Sequence, residues 1–204
     1  MSRETGPRLK RMRALGMNLP GLSRKSMKNR EFPPGEQGRA RRRKPSDYAL
    51  QLKEKQKLRF NYGLGERQFR RLVAEARRGK KAAGDQLLEF LERRLDNVVF
   101  RAGYAPTIPA ARQLVNHGHF TVNGRRVDVA SFRVKEGDVI KPRQKSLKLD
   151  VIAAWLLEIS LIRPGWLDFN DATLTATIAA LPSPDSVPFP VDVSSVIEYY
   201  AKRL

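Results

Sequence analysis

The sequence has no cysteine, only two histidines and no long apolar run. The first absence excludes a disulfide framework and any thiolate metal site. The two histidines, His117 and His119, stand two apart, a spacing that does not bring two imidazoles to one helical face, so no metal site is expected there. The longest apolar run, Val151 to Leu157, stops at Glu158 and falls short of the roughly eighteen residues that suggest a membrane span. Acidic residues are also scarce. The 204 residues carry 21 Asp and Glu against 40 Lys and Arg, a net charge of +19. That balance is far from an ordinary enzyme surface and points to a polyanionic partner. No glycine-rich phosphate loop, nucleophile elbow or zinc spacing occurs. The pair Glu136 and Asp138 sits in a turn, where carboxylates shape loops more often than they move protons. We therefore expect no catalytic residue, no cofactor and no small-molecule substrate. The opening MSRETGPRLKRMR lacks the apolar region of a secretory signal, so a soluble, reducing, intracellular compartment is the default.

What is present is positive charge, and it is segregated. Residues 1–60 carry +13, residues 61–146 carry +9, and residues 147–204 carry −3. The first two thirds should meet the partner.

The chain is organised around Arg93 to Pro142. Asp96 is an acceptable N-cap for a short helix with Val98, Val99 and Ala102 on its apolar side, and Gly103 can end it in the left-handed conformation. Pro109 suits the first position of a second helix carrying Ala110, Ala111, Leu114 and Val115, which Gly118 stops. The period then changes to two. Phe120 and Val122 alternate around Thr121, Asn123-Gly124 supplies a type I′ turn, and Val127 and Val129 return, which predicts a hairpin. Phe132 and Val134, the turn Glu136-Gly137-Asp138, and Val139 and Ile140 suggest a further strand pair. Arg93, Arg94, Arg101, Arg112, His117, His119, Asn123, Arg125 and Arg126 are left over as an outward set of cations and donors, the chemistry a phosphate backbone asks for. A solvated surface is the competing reading for each. For the histidines, a capping or solvated role and a contact with the polyanionic partner are equally open.

Ahead of this stretch, residues 1–45 are dense in Arg, Lys, Gly and Pro with no sustained period, and should be mobile until a partner orders them. RARRRKP (Arg39 to Pro45) is the strongest cationic knot. A nuclear-import signal would look alike, although Pro33-Pro34-Gly35 and Gly38 imply a defined turn. Ser46 or Asp47 caps a helix to Asn61 or Tyr62, with Lys53, Lys55, Lys57 and Arg59 around it. In the next helix, Glu66 to Arg78, Phe69, Leu72, Val73 and Ala76 form one apolar stripe, leaving Arg67, Arg70, Arg71, Arg77 and Arg78 off it. Asp85 starts a third helix. Beyond Lys145, Leu149 to Ile159 reads as a buried helix, Trp166 to Phe169 and Leu174 to Ala180 as strands, Pro182 to Pro190 as a connector, and Val193 to Leu204 as a final helix.

RLDNVVFRAG, ARQLVNHGH and TVNGRRVD resemble the RNA-binding module called the alpha-L motif. With PPGEQG, KPSDYALQLKEKQKLRFNYGLGERQF and VIEYYAKR, the chain is similar to the bacterial and organellar small-subunit ribosomal protein S-four family, in a zinc-free, cyanobacterial- or plastid-like form. The resemblance covers roughly residues 1–145 and the closing helix, and weakens between about Leu147 and Pro190. It implies an α+β fold with a basic extended N-terminal arm (1–45), a helical domain (46–92 plus 191–204) and an inserted alpha-L RNA-binding domain (93–190) of helices and a small, mainly antiparallel sheet. It implies a structural constituent of the small ribosomal subunit that binds 16S rRNA early in assembly, at a helix junction of the 5′ domain. It further implies a place beside neighbouring ribosomal proteins where messenger RNA enters, with support of translational accuracy. The location implied is a bacterial cytoplasmic ribosome or a plastid stroma ribosome, with no membrane partner. Taken with the residue reading, the expected RNA-binding set is Arg42, Arg43, Lys44, Tyr48, Lys55, Lys57, Arg67, Arg70, Arg71, Arg94, Asn97, Arg101, Thr107, Arg112, Gln113, His117, His119, Asn123, Arg125 and Arg126. Rival readings are an RNA-modifying enzyme with an alpha-L module, for which residues 147–204 are too few and too apolar, a stand-alone alpha-L protein, and a basic DNA-binding protein.

Overall fold

The computed structural model describes residues 6–27, 31–39, 44–147, 150–158 and 161–201. In chain order the helices are α1 (Arg8–Leu15), α2 (Asp47–Asn61), α3 (Glu66–Ala76), α4 (Ala83–Glu92), α5 (Leu95–Arg101), α6 (Ile108–Asn116), α7 (Gln144–Leu147), α8 (Asp150–Leu157) and α9 (Val193–Ala201). The strands are β1 (Phe120–Val122), β2 (Arg125–Arg126), β3 (Val139–Pro142), β4 (Leu167–Asn170) and β5 (Thr175–Ile178). The α+β class expected from the sequence is the class observed. The chain divides into two compact units, residues 1–87 with 188–204, and residues 88–187.

In the first unit, Ser46 caps α2 by accepting from Ala49 N–H, and the stripe Phe69, Leu72, Val73 and Ala76 of α3 is buried as its spacing requires. Helix α9 returns to this unit. Its Tyr200 ring lies 6.0 Å from Phe69, and its Tyr199 stacks on Tyr48 at 5.9 Å. Within residues 1–45, the described residues 6–27 and 31–39 depart from the expectation of a segment left unordered without a partner. Helix α1 ends at Gly16 (φ 69°), and Met12, Leu15, Leu19 and Leu22 are all buried. The backbone N–H of Gly21 donates to Asn61 Oδ1 at 2.9 Å. Four apolar side chains spaced three or four apart make a helix-like stripe that the density of Arg and Lys around them masks. The turn at Pro33-Pro34-Gly35 is present, with Gly35 at φ 107° and a Gly38 N–H to Gly35 O bond, and Arg13 reaches across to the carbonyls of Phe32 and Pro33 at 2.9 and 3.3 Å.

In the second unit the sheet order is β2-β1-β3-β5-β4, antiparallel throughout. Phe120, Val122, Ile140, Ala176 and Ile178 share its buried face, against which the ring of Tyr104 lies 5.2 Å from Phe120 and 5.5 Å from Phe169. The hairpin is where the Asn-Gly pair places it, with Asn123 at φ 49° and Gly124 at φ 78°. The second strand pair is corrected. Phe132 O and Val134 N–H bond instead to Leu95 N–H and Arg93 O at the start of α5, while β3 lies between β1 and β5. The Asp96 cap is corrected as well. Arg94 is the N-cap residue of α5, and Asp96 lies inside the first turn.

Candidate nucleic-acid interface

Asp96 is the centre from which the α5–α6 scaffold is built. Its carboxylate is fully buried and accepts from Arg94 Nε and Nη2 (3.1 and 2.9 Å), from Arg112 Nε and Nη2 (2.8 and 2.6 Å), and from Asn97 N–H (3.0 Å). A buried carboxylate is tolerable only when paired and hydrogen-bonded, and here two guanidiniums satisfy it. The pair ties the start of α5 to the middle of α6. The expectation that Arg94 and Arg101 stand on the outside is therefore corrected, and Asn97, expected in the RNA-binding set, is buried as well. Arg94 is 4% exposed, Asn97 Nδ2 bonds Glu92 O and Oε2 at 3.0 and 3.1 Å, and Arg101 Nη2 donates to Ser186 O at 2.6 Å. Thr107 is buried too, capping α6 by accepting from Ala110 N–H. Arg112 keeps 28% of its side chain exposed. Arg94 and Arg112 are held by Asp96 in the first turn of α5, and Arg101 by Ser186 O and Glu92, so these arginines serve the fold.

Beyond the scaffold, α6 presents Gln113 and His117 to solvent. Gly118 (φ 72°) turns the chain into β1, and His119 Nδ1 lies 3.0 Å from Ser146 Oγ. Burial, then the fields of His117 and Arg143, lower the His119 pKa below the usual imidazole value. Asn123 is a turn builder as well as an exposed polar group. Its Oδ1 accepts from Val139 N–H at 2.9 Å, and its Nδ2 donates to Asp138 at 2.8 Å.

Arg125 and Arg126 are both exposed, but they do not share a face. Thr121 pairs with Arg126 on one side and Lys141 on the other, whereas Val122 pairs with Arg125 and Ile140. Directly opposed residues point the same way, so Arg126, Thr121 and Lys141 form one row on the face turned away from the core. Arg143, whose N–H donates to His119 O at 2.9 Å, follows on the same face. Lys141 and Arg143 are exposed and were missed in the sequence. The alternation of Lys141, Pro142 and Arg143 after Ile140 is the signal that could have found them.

The first unit sorts its cations in the same way. Lys55 is buried, paired with Glu66 at 2.7 Å and lying 4.8 Å from the Tyr199 ring centre. Lys57 is held by Glu54 at 2.5 Å and by Pro190 O at 3.4 Å. Both bind the protein to itself, whereas the sequence placed them in the expected RNA-binding set. Arg67, Arg70 and Arg71 on α3 are exposed, as are Lys44 and Tyr48. Arg42 and Arg43 lie outside the described residues. Among the described residues, no group of three His, Asp or Glu could hold a metal ion, and no helix is long and apolar enough to cross a membrane.

Fold and site together define a class: an α+β protein whose exposed functional groups are cations fixed on a rigid scaffold. Comparison with known proteins makes that class specific. The family described as Ribosomal protein S4/S9 N-terminal domain matches residues 3–92, and the S4 domain matches residues 93–140. The chain is 56% identical to small ribosomal subunit protein uS4 of Methylobacillus flagellatus, 53% to uS4B of Nitrosomonas europaea and 50% to uS4 of Synechococcus elongatus, over the full length of each chain. The chain belongs to the uS4 family of small ribosomal subunit proteins, a structural and non-enzymatic family.

Proposed function

We propose that this chain is a structural constituent of the small ribosomal subunit that binds 16S rRNA directly through phosphate contacts. The observation that carries the reading is the set of exposed cations on ordered elements in a chain 56% identical to a uS4 protein over its whole length. Lys and Arg neutralise phosphates and release counterions, while fit to folded RNA supplies specificity, since side chains cannot read the deep, narrow major groove of an A-form helix. The contacting set is Lys44, Tyr48, Arg67, Arg70 and Arg71 in the first unit, with Arg42 and Arg43 beside them in sequence. In the second unit it is Arg112, Gln113, His117, His119, Asn123, Arg125 and Arg126. Lys55, Lys57, Arg94, Asn97, Arg101 and Thr107 hold the surfaces that carry these residues.

The family resemblance supports a finer placement. Binding occurs early in assembly at a helix junction of the 5′ domain, and the finished protein lies near other ribosomal proteins where messenger RNA enters, supporting accurate decoding. The bacterial relatives favour a cytoplasmic ribosome over a plastid one. Co-sedimentation tests the assignment. Purified chain mixed with small-subunit rRNA at low to moderate salt should co-sediment with the RNA and resist competition by duplex DNA. Failure to co-sediment at low salt, or equal affinity for the DNA, would contradict it.

A further inference from the structure

The residues proposed above as RNA contacts in the second unit come mainly from α6 and the hairpin, yet the sheet has a whole face that the core does not use. We propose that this face is itself a phosphodiester-binding surface, with Arg126, Lys141 and Arg143 as its cations and Thr121 and Gly118 as its floor. The proposal rests on the RNA-binding reading and extends it to three strands.

Three observations carry it. First, the strand register puts Arg126, Thr121 and Lys141 side by side across β2, β1 and β3, with Arg143 two residues beyond Lys141, just past the end of β3, where its N–H bonds to His119 O. The two outer cations of the row are two strand spacings apart, about 10 Å at the backbone, a separation that lets them engage different phosphates. Second, the arginines are placed rather than loose. A Cβ built on Gly118 would fall 2.3 Å from Arg126 Nε and 2.6 Å from its Nη2, so this guanidinium lies directly against the glycine. Arg143 Nη1 approaches the carbonyl of the same residue at 3.4 Å. Two guanidiniums thus meet one residue at the C-terminal end of α6, where helix carbonyls favour cations. Side chains held in advance lose less freedom on binding. Third, acid is sparse at this end of the face. Arg126 meets Asp128 at 3.6 Å in a pair with both side chains 54% exposed, which leaves both hydrated and the contact weak. The next carboxylate on this face within the strands is that of Asp168 on β4, at the opposite edge of the sheet.

The test is the salt dependence of binding between the full chain and a small-subunit rRNA transcript. A triple variant, Arg126→Gln, Lys141→Gln and Arg143→Gln, should reduce the slope of log K against log salt by roughly 2 to 3, since each phosphate contact contributes about 0.7 to 0.9. Far-ultraviolet circular dichroism checks that the fold is retained. If the triple variant does not fold, Arg143→Gln alone decides, with an expected reduction of about 0.7 to 0.9. An unchanged slope in a folded variant overturns the proposal while leaving RNA binding intact. A nearly flat slope in the unaltered chain would instead overturn the RNA-binding reading on which it rests.

Discussion

At the scale of the residue, Asp96 shows how an anion can serve a protein that binds polyanions. It accepts from both Arg94 and Arg112, and so fixes α5 against α6. Replacing it with Ala leaves two guanidiniums at a buried site without their counterion. Breaking a buried pair by removing one partner costs about 3–5 kcal/mol, so Asp96→Ala should lower the urea midpoint by an amount corresponding to that loss. A shift equivalent to a few tenths would mean that water replaces the carboxylate. Gly118 carries a second residue-scale prediction. Its φ of 72° is strained for any residue with a Cβ, and a methyl group there would have to push the Arg126 guanidinium aside. Gly118→Ala should cost about 1–2 kcal/mol for the left-handed backbone alone, read from thermal unfolding, and should displace Arg126 as well.

At the scale of the element, the closing helix α9 is held by carboxylates. Asp192 caps it, accepting from Ser194 and Ser195 N–H and from Ser195 Oγ at 3.1, 3.4 and 2.6 Å. The Ser195 hydroxyl is the main cause that holds the Asp192 carboxyl below its usual pKa, against a smaller opposing effect of burial. Glu66 accepts from Tyr200 Oη at 2.6 Å and pairs with Lys55. Burial pushes the Glu66 carboxyl up, but the hydrogen bonds from Lys55 and Tyr200 and the fields of Lys55 and Arg59 together bring it below its usual value. Both groups therefore stabilise the fold fully above the range where unfolded carboxyls titrate, and lose that contribution as pH falls through their lowered values. Amide hydrogen exchange along α9 should accelerate in that acid range, and Glu66→Gln with Asp192→Asn should flatten the dependence. Tyr200→Phe, which removes one hydrogen bond to a half-exposed carboxylate, should cost about 1 kcal/mol in chemical unfolding.

The elements themselves were legible wherever local chemistry decides them. The Asn123-Gly124 turn, the Ser46 cap, the Gly103 and Gly118 stops and the apolar stripe of α3 all follow from neighbours a few residues apart. Long-range pairing was not legible. Nothing near Val139 says that β5 will lie on its far side, and nothing near Phe132 says that its carbonyl will meet Leu95. The candidate site divides along the same line. Exposed Arg125, Arg126, Arg67 and Arg71 were readable as cations off an apolar pattern, whereas Arg101 and Lys55 were not readable as buried, because each is captured by a partner nine or more residues away that the fold brings to it.

At the scale of the whole molecule, attraction to the partner is electrostatic. A chain of net charge +19, with +22 of it in residues 1–146 and −3 in the rest, carries its attraction for polyanions in its first two thirds. Internal pairs of the kind seen at Asp96, Glu66 and Glu89 place some cations as scaffold and leave others for phosphate. The central claim is that the second group binds ribosomal RNA by neutralising phosphates. The measurement that tests it most directly is the affinity of the full chain for a small-subunit rRNA transcript across a range of salt concentrations. For about six to ten contacts, log K should fall against log salt with a slope between about −4 and −9. A slope close to zero would contradict the account.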